Sequence, residues 1–206
     1  MARSAVWLGA LVGLSALLGS CATRQPLRGQ EAKGLDAKLS TFAYIEEGEI
    51  VTLVVDTRPA RDKDGERYVP IEIAVANHGL RKLTLTLESF TLIDKNGNRY
   101  PAASPRELLE GYGMLDFDRN LMELEGILFN RFGALARYPS NFSPMRTTTI
   151  GGSGLVRDRV ALPKHGYLID FIYFPAPSSG IRDQPFELFL DSIDLADPVF
   201  VKFEVR

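Results

Sequence analysis

Two histidines and a single cysteine, Cys21, are all that 206 residues offer of the side chains that most often carry zinc or thiol chemistry. One cysteine cannot close an intramolecular disulfide, so the fold has to stand on its core even in an oxidising compartment. His78 and His165 each sit directly before a glycine, and neither has a partner at metal-ligand spacing, which argues against a catalytic zinc site. An excess of charge of one sign is missing too. The 24 Lys and Arg against 26 Asp and Glu give a formal net charge of −2, so no strongly basic face marks nucleic acid as a partner. No internal repeat is visible, and no cofactor motif stands out.

Long apolar runs are scarce, and the main one is short. Arg3 precedes an uncharged stretch from Ala5 to Leu18 in which Val6, Trp7, Leu8, Leu11, Val12, Leu14, Leu17 and Leu18 are spaced by small residues. A spanning helix needs about 20 apolar residues, whereas the apolar region of a signal peptide runs to roughly 7–15. The stretch ends in Leu18-Gly19-Ser20-Cys21. This resembles the lipobox of bacterial lipoproteins, in which a Leu, two small residues and an obligatory Cys are read by a lipid transferase and a dedicated signal peptidase. The resemblance implies that residues 1–20 are a signal peptide with Leu18, Gly19 and Ser20 as recognition residues. It also implies that Cys21 is the lipid-attachment site, with diacylglycerol and an N-acyl chain such as palmitate holding the protein to a membrane. Two or three chains are needed because one acyl chain binds only marginally. Ala22 stands where, in Gram-negative lipoproteins, an Asp would favour the inner membrane, so the outer membrane facing the periplasm is the implied address.

Residues 21–38 then read as the lipidated cysteine and a polar tether, spanning roughly 20–25 Å at flexible-chain scaling. Residues 39–206 are enough for one domain with a sizeable core. Most of that domain alternates with period two. Val69, Ile71, Ile73 and Val75 point one way and Pro70, Glu72, Ala74 and Ala76 the other, which predicts a half-buried strand ending at Asn77-His78-Gly79. Leu83, Leu85 and Leu87 share a face, and Phe90 and Leu92 follow after a change of phase that predicts a bend or bulge. Lys95-Asn96-Gly97-Asn98 is a hairpin turn, since Asn-Gly tolerates positive φ. TFAYI, EIVTLVVD, LVRDRVAL, YLIDFIYF, FELFL and VFVKFEV supply the other strands. Many short strands joined by Gly, Pro and Asn turns predict a mainly β fold, an antiparallel β-sandwich. The order from Val69 to Tyr100, with Phe90, Leu92, Asp94, Gly97 and Tyr100 in a closing hairpin, is similar to the immunoglobulin-like domains of secreted and lipid-anchored bacterial proteins, many of unknown function.

The middle of the domain departs from that pattern, with a helical insertion at about 104–137 and a non-β region extending to 146. Ser104-Pro105-Arg106-Glu107 is a helix start: a capping Ser, Pro at the first helical position and Glu placed to complete a capping box. Leu121, Leu124, Leu128, Phe132 and Leu135 recur at helical spacing, with Glu123, Glu125 and Arg131 elsewhere on the wheel. Leu168, Ile172 and Phe174 occupy one face of a later strand and Ile169, Phe171 and Tyr173 the other, so both faces want cover. The insertion is the expected lid for the outer face; a docking helix for a partner is the alternative.

No constellation of catalytic residues emerges. Gly151-Gly152-Ser153-Gly154-Leu155 lacks the second defining glycine of a nucleophile elbow, so Ser153 reads as a loop residue. Asp62, Asp64 and Glu66 are weak metal candidates, short of the third ligand and distal Glu of a calcium loop. Asp116 and Asp118 are placed to bias a helix N-terminus. Asn141-Phe142-Ser143 is a formal glycosylation sequon. The expectation is a non-enzymatic, lipid-anchored interaction module with an envelope protein as partner. The rival is a ligand or metal binder whose insertion closes a pocket near Tyr173.

Overall fold

The period-two segments pair into two sheets and a ribbon. A computed structural model describes residues 39–140, 142–144 and 158–206. Strands β1 (Ala43–Glu47), β2 (Val51–Asp56) and β3 (Tyr68–Asn77) run antiparallel, and β3 pairs along its whole length with β9 (Gly166–Pro175). The two-residue strand β7 (Ala136–Arg137) adds to β9 in parallel, giving the order β1-β2-β3-β9-β7. The second sheet is β11-β10-β5-β6, built from β11 (Val199–Glu204), β10 (Pro185–Leu190), β5 (Phe90–Asp94) and β6 (Arg99–Pro101). A separate ribbon joins β4 (Lys82–Leu85) to β8 (Val160–Pro163). The fold is a mainly β sandwich with a helical insertion.

One core lies between the two sheets. Val51, Leu53, Val55, Val69, Ile71, Ile73 and Val75 face Leu92, Phe186, Leu188, Val201 and Phe203 across it, and Leu83, Leu85 and Leu162 close it from the ribbon. Each such side chain stabilises by roughly 1.5–3 kcal/mol when fully buried. The change of phase after Leu85 is a 3-10 turn at Leu87–Ser89 rather than a bulge. The Thr86 N–H donates to Ser89 Oγ at 3.1 Å, and the turn carries the chain from the ribbon into the second sheet. The Asn96-Gly97 hairpin joins β5 to β6 with Gly97 at φ +83°, as its sequence requires.

The β3 strand differs from expectation. It is buried at all ten positions rather than half-buried. The cause is the insertion, whose helices α1 (Pro105–Gly111), α2 (Leu115–Arg119) and α3 (Leu124–Phe132) cover the outer face of the five-stranded sheet. The helix α1 begins with the capping box read from the sequence: Glu107 N–H donates to Ser104 Oγ and Glu107 Oε2 accepts from Ser104 N–H at 2.8 Å. The helix α3 is shorter than the leucine repeat implies. Leu121 and Leu135 fall outside it, and Leu124, Leu128 and Phe132 alone form its buried stripe.

The outward edge of β9 is closed by fragments. Ala136 N–H donates to the carbonyl of His165, just before the strand, and within it the carbonyls of Tyr167, Ile169 and Tyr173 accept from Tyr138 N–H, Ser140 Oγ and Ala103 N–H. The Phe171 N–H donates to Asp170 Oδ1 at 2.8 Å, and Asp170 Oδ2 also accepts from Phe142 N–H at 2.8 Å.

Candidate interaction surface on the helical insertion

Two clusters seat the insertion. In one, Leu124, Leu128 and Phe132 press on Ile45, Val54, Ala74, Ala76 and Ile169, where two alanines let the helix approach the sheet closely. In the other, Leu108 and Tyr112 pack with Tyr68, Phe171 and Tyr173. The Tyr112 ring meets Tyr68 edge-on at 6.1 Å and Tyr173 at 5.4 Å, spacings at which aromatic pairs attract. The Tyr173 ring is buried among these aromatics, so among the described residues the insertion packs directly on it rather than closing over a cavity there.

Each cluster carries a buried polar lock. Glu72, on the outer face of β3, accepts from Glu123 N–H at 3.0 Å and from Leu124 N–H at 3.2 Å, so a carboxylate from the sheet caps α3. Burial pushes the Glu72 carboxyl up to about 8, against the pull of the Leu124 N–H; the neighbouring Asp56 pushes the same way and Arg58 opposes it. Asp56 stands opposite Glu72 in the register, accepts from Arg58 N–H at 2.8 Å, and is itself raised by burial. Arg58 completes the corner through an ion pair with Glu123.

In the second lock, Lys63 Nζ lies 2.5 Å from Asp118 Oδ1, and Tyr112 Oη donates to Asp118 Oδ2 at 2.8 Å. Lys63 also sits over the rings of Tyr112 and Phe117, at 5.6 and 5.2 Å. Burial, together with the Asp118 carboxylate, holds the Tyr112 and Tyr173 phenols far above their ordinary range. Lys63, Tyr112, Asp118 and Tyr173 have almost no exposed surface. They fasten the insertion and present no group to a substrate.

With its apolar stripe turned inward, the insertion still shows three large apolar side chains outward: Leu109 at 52%, Phe117 at 53% and Phe129 at 73% exposure. Gly126, in the first turn of α3, and Gly133, just past its end, lie three residues before and four after Phe129, so two of the four positions flanking the ring carry no side chain. A Cβ at Gly126 would meet nothing within 4 Å.

The remaining sequence candidates fall elsewhere. Asp62 pairs with Arg61 and Arg182, and Asp64 with Arg182 at 3.4 Å, while Glu66 adds no third ligand. Among the described residues no group of three His, Cys, Asp or Glu is placed to hold a metal ion. Asp116 is exposed at the start of α2 as expected, but Asp118 serves as the buried partner of Lys63 rather than as a dipole charge. His78 Nε2 lies 3.0 Å from Thr52 Oγ1, and burial lowers its pKa; His165 holds a turn at φ +61°. Leu18, Gly19, Ser20, Cys21, Asn141 and Ser153 lie outside the described residues.

Sequence reasoning missed Lys63, the capping role of Glu72, and Asp170. Asp170 left a signal, as a lone charge inside the apolar run LIDFIYF. Lys63, inside RDKDGER, left none.

No family model matches this chain, and no curated protein is similar to it in sequence. In backbone path it is similar to two Bacillus subtilis crystal structures. One is ycdA, a candidate lipoprotein, at 12% identity and TM-score 0.41, covering 78% of this chain and 38% of that one. The other is the yjhA protein, at 11% identity and TM-score 0.37, covering 74% and 82%. This chain therefore spans well under half the length of ycdA. Neither likeness assigns a role.

Proposed function

We propose that this chain is a lipid-anchored protein of the bacterial cell envelope, and that its globular part is a non-enzymatic interaction module for another envelope protein. The observation that carries the reading is Leu18-Gly19-Ser20-Cys21 after an uncharged run of signal-peptide length. Ala22, in place of an Asp, supports the outer membrane facing the periplasm as the address. The strand and hairpin pattern from Val69 to Tyr100 supports an immunoglobulin-like reading of the sandwich. The outward Leu109, Phe117 and Phe129 support a contact surface on the insertion, since aromatic anchors dominate protein interfaces.

Two experiments test the two halves. Cys21→Ser should leave the membrane fraction and take up no labelled fatty acid; a variant that still fractionates with membranes sinks the anchor. Photo-crosslinkers placed at Leu109, Phe117 and Phe129 in cells should trap one envelope protein. Crosslinks confined to this chain would make the insertion purely structural.

A further inference from the structure

A cleft of about 440 Å³ opens where the end of α2, the segment after β7 and the middle of β9 meet. Met122, Tyr138 and Ile169 give it apolar walls, and the guanidinium-bearing residues Arg119 and Arg137 share its lining. Ser140 also lines it, but its hydroxyl proton is committed to the Ile169 carbonyl at 3.0 Å. Arg137 is tied to Glu125 by an ion pair in which both side chains are largely exposed. Such a pair is worth little, on the order of 0–1 kcal/mol, so Arg137 can exchange it for another anion at small cost. Arg119 is half-buried, and its guanidinium has no ion pair or hydrogen bond to any described residue. Partly desolvating a guanidinium that has no partner among the described residues is unfavourable, and a bound anion would reverse that.

One negative group borders the cleft and has to be weighed. Asp170 is buried, and its carboxylate is occupied by the N–H groups of Phe142 and Phe171 and by the Ser143 hydroxyl. Its oxygens are occupied from within the fold, although burial still raises its carboxyl to about 6, so the anionic end of a ligand has to sit on the arginine side of the cleft. The side chains free to turn to a ligand are therefore two arginines above apolar walls.

We propose that this cleft binds a small organic anion, a carboxylate or phosphate group carried on a compact apolar body. A guanidinium offers paired N–H donors in a planar fork that matches either anion, which an ammonium does not. The cleft's volume lies in the ordinary range for small-ligand sites, and its apolar walls favour a ligand with apolar surface over a bare ion. The site requires neither the lipid on Cys21 nor the partner at Phe129, so its test is independent of both.

The probe is phenyl phosphate, titrated calorimetrically into the full chain alongside inorganic phosphate and phenol. Phenyl phosphate should bind saturably, inorganic phosphate about tenfold more weakly or worse, and phenol without measurable heat. Arg119→Gln should weaken phenyl phosphate about tenfold or more, as should Arg137→Gln, which lies on the surface and keeps the test alive if the first variant fails to fold. Arg99→Gln, exposed on β6 and outside the cleft, should change nothing. No binding of phenyl phosphate through the millimolar range would overturn the proposal. Equal affinity in the wild type and in the folded cleft variants would do the same. Inorganic phosphate binding as tightly as phenyl phosphate would refute the organic class of the ligand.

Discussion

Glu72 sits between two opposing influences, and a pH series separates them. Burial raises its carboxyl to about 8 from an ordinary 4.5, while the N–H groups opening α3 pull the other way. A native pKa above the unfolded one means that the folded chain keeps a proton which the unfolded chain gives up. The associated stability is complete below the unfolded pKa and is lost as pH rises through the folded one. From about pH 6 to about pH 9 an unfolded glutamate is ionised throughout, so only the native titration counts, and about 2–3 kcal/mol of stability should disappear. Asp170, raised to about 6 by burial, titrates mostly below this window and adds under about 1 kcal/mol. Glu72→Gln keeps the shape and an acceptor for α3 but cannot ionise. Urea unfolding at the two pH values should therefore show the wild type losing 2–3 kcal/mol, on the order set by that shift, and the variant losing under about 1 kcal/mol, with unchanged m-values. An equal loss in both proteins, or a wild type that gains stability with pH, would refute the reasoning. Glu72 would then be an ionised cap, with the helix terminus and Arg58 outweighing burial.

Lys63→Met leaves Asp118 as an uncompensated buried charge and should cost about 3–5 kcal/mol, with Asp118→Asn added on top recovering part of it in the same denaturation assay. Leu128→Ala removes a fully buried member of the α3 stripe and should cost about 2–4 kcal/mol, read as a shift in the urea midpoint. Ser104→Ala deletes the α1 cap and should cost about 1 kcal/mol. Phe129→Ala should change stability by less than about 0.5 kcal/mol while abolishing the crosslink to the envelope partner; a large loss of stability instead would mean that the ring is structural.

The strands were legible because their signal is local. A period of two, an Asn-Gly turn and a capping Ser are written within a few residues, and the structure places β3, the β5–β6 hairpin and the start of α1 where those signals stand. The cover over Ile169, Phe171 and Tyr173 was legible from the two-faced apolar strand that needed it. What the sequence could not show is pairing at a distance. Glu72 looks like any solvent-facing residue of an alternating strand until a helix begins above it some fifty positions later. The reach of α3 was overread because Leu121 and Leu135 keep the helical spacing while their backbone lies in the flanking turns. The cleft between Arg119 and Arg137 joins an α2 residue to a strand beyond the helices, and spacing alone cannot bring those together.

The fragments along the outward side of β9 have a consequence for crowding. A ten-residue strand with a free flank is a template on which another chain can add itself. Here the carbonyls of His165, Tyr167, Ile169 and Tyr173 and the amide of Phe171 are spoken for by five separate contacts, two of them side chains. A visiting strand would have to dislodge all of them before its first ladder rung could form. On this flank, a neighbouring copy held at high local density finds no open ladder to extend.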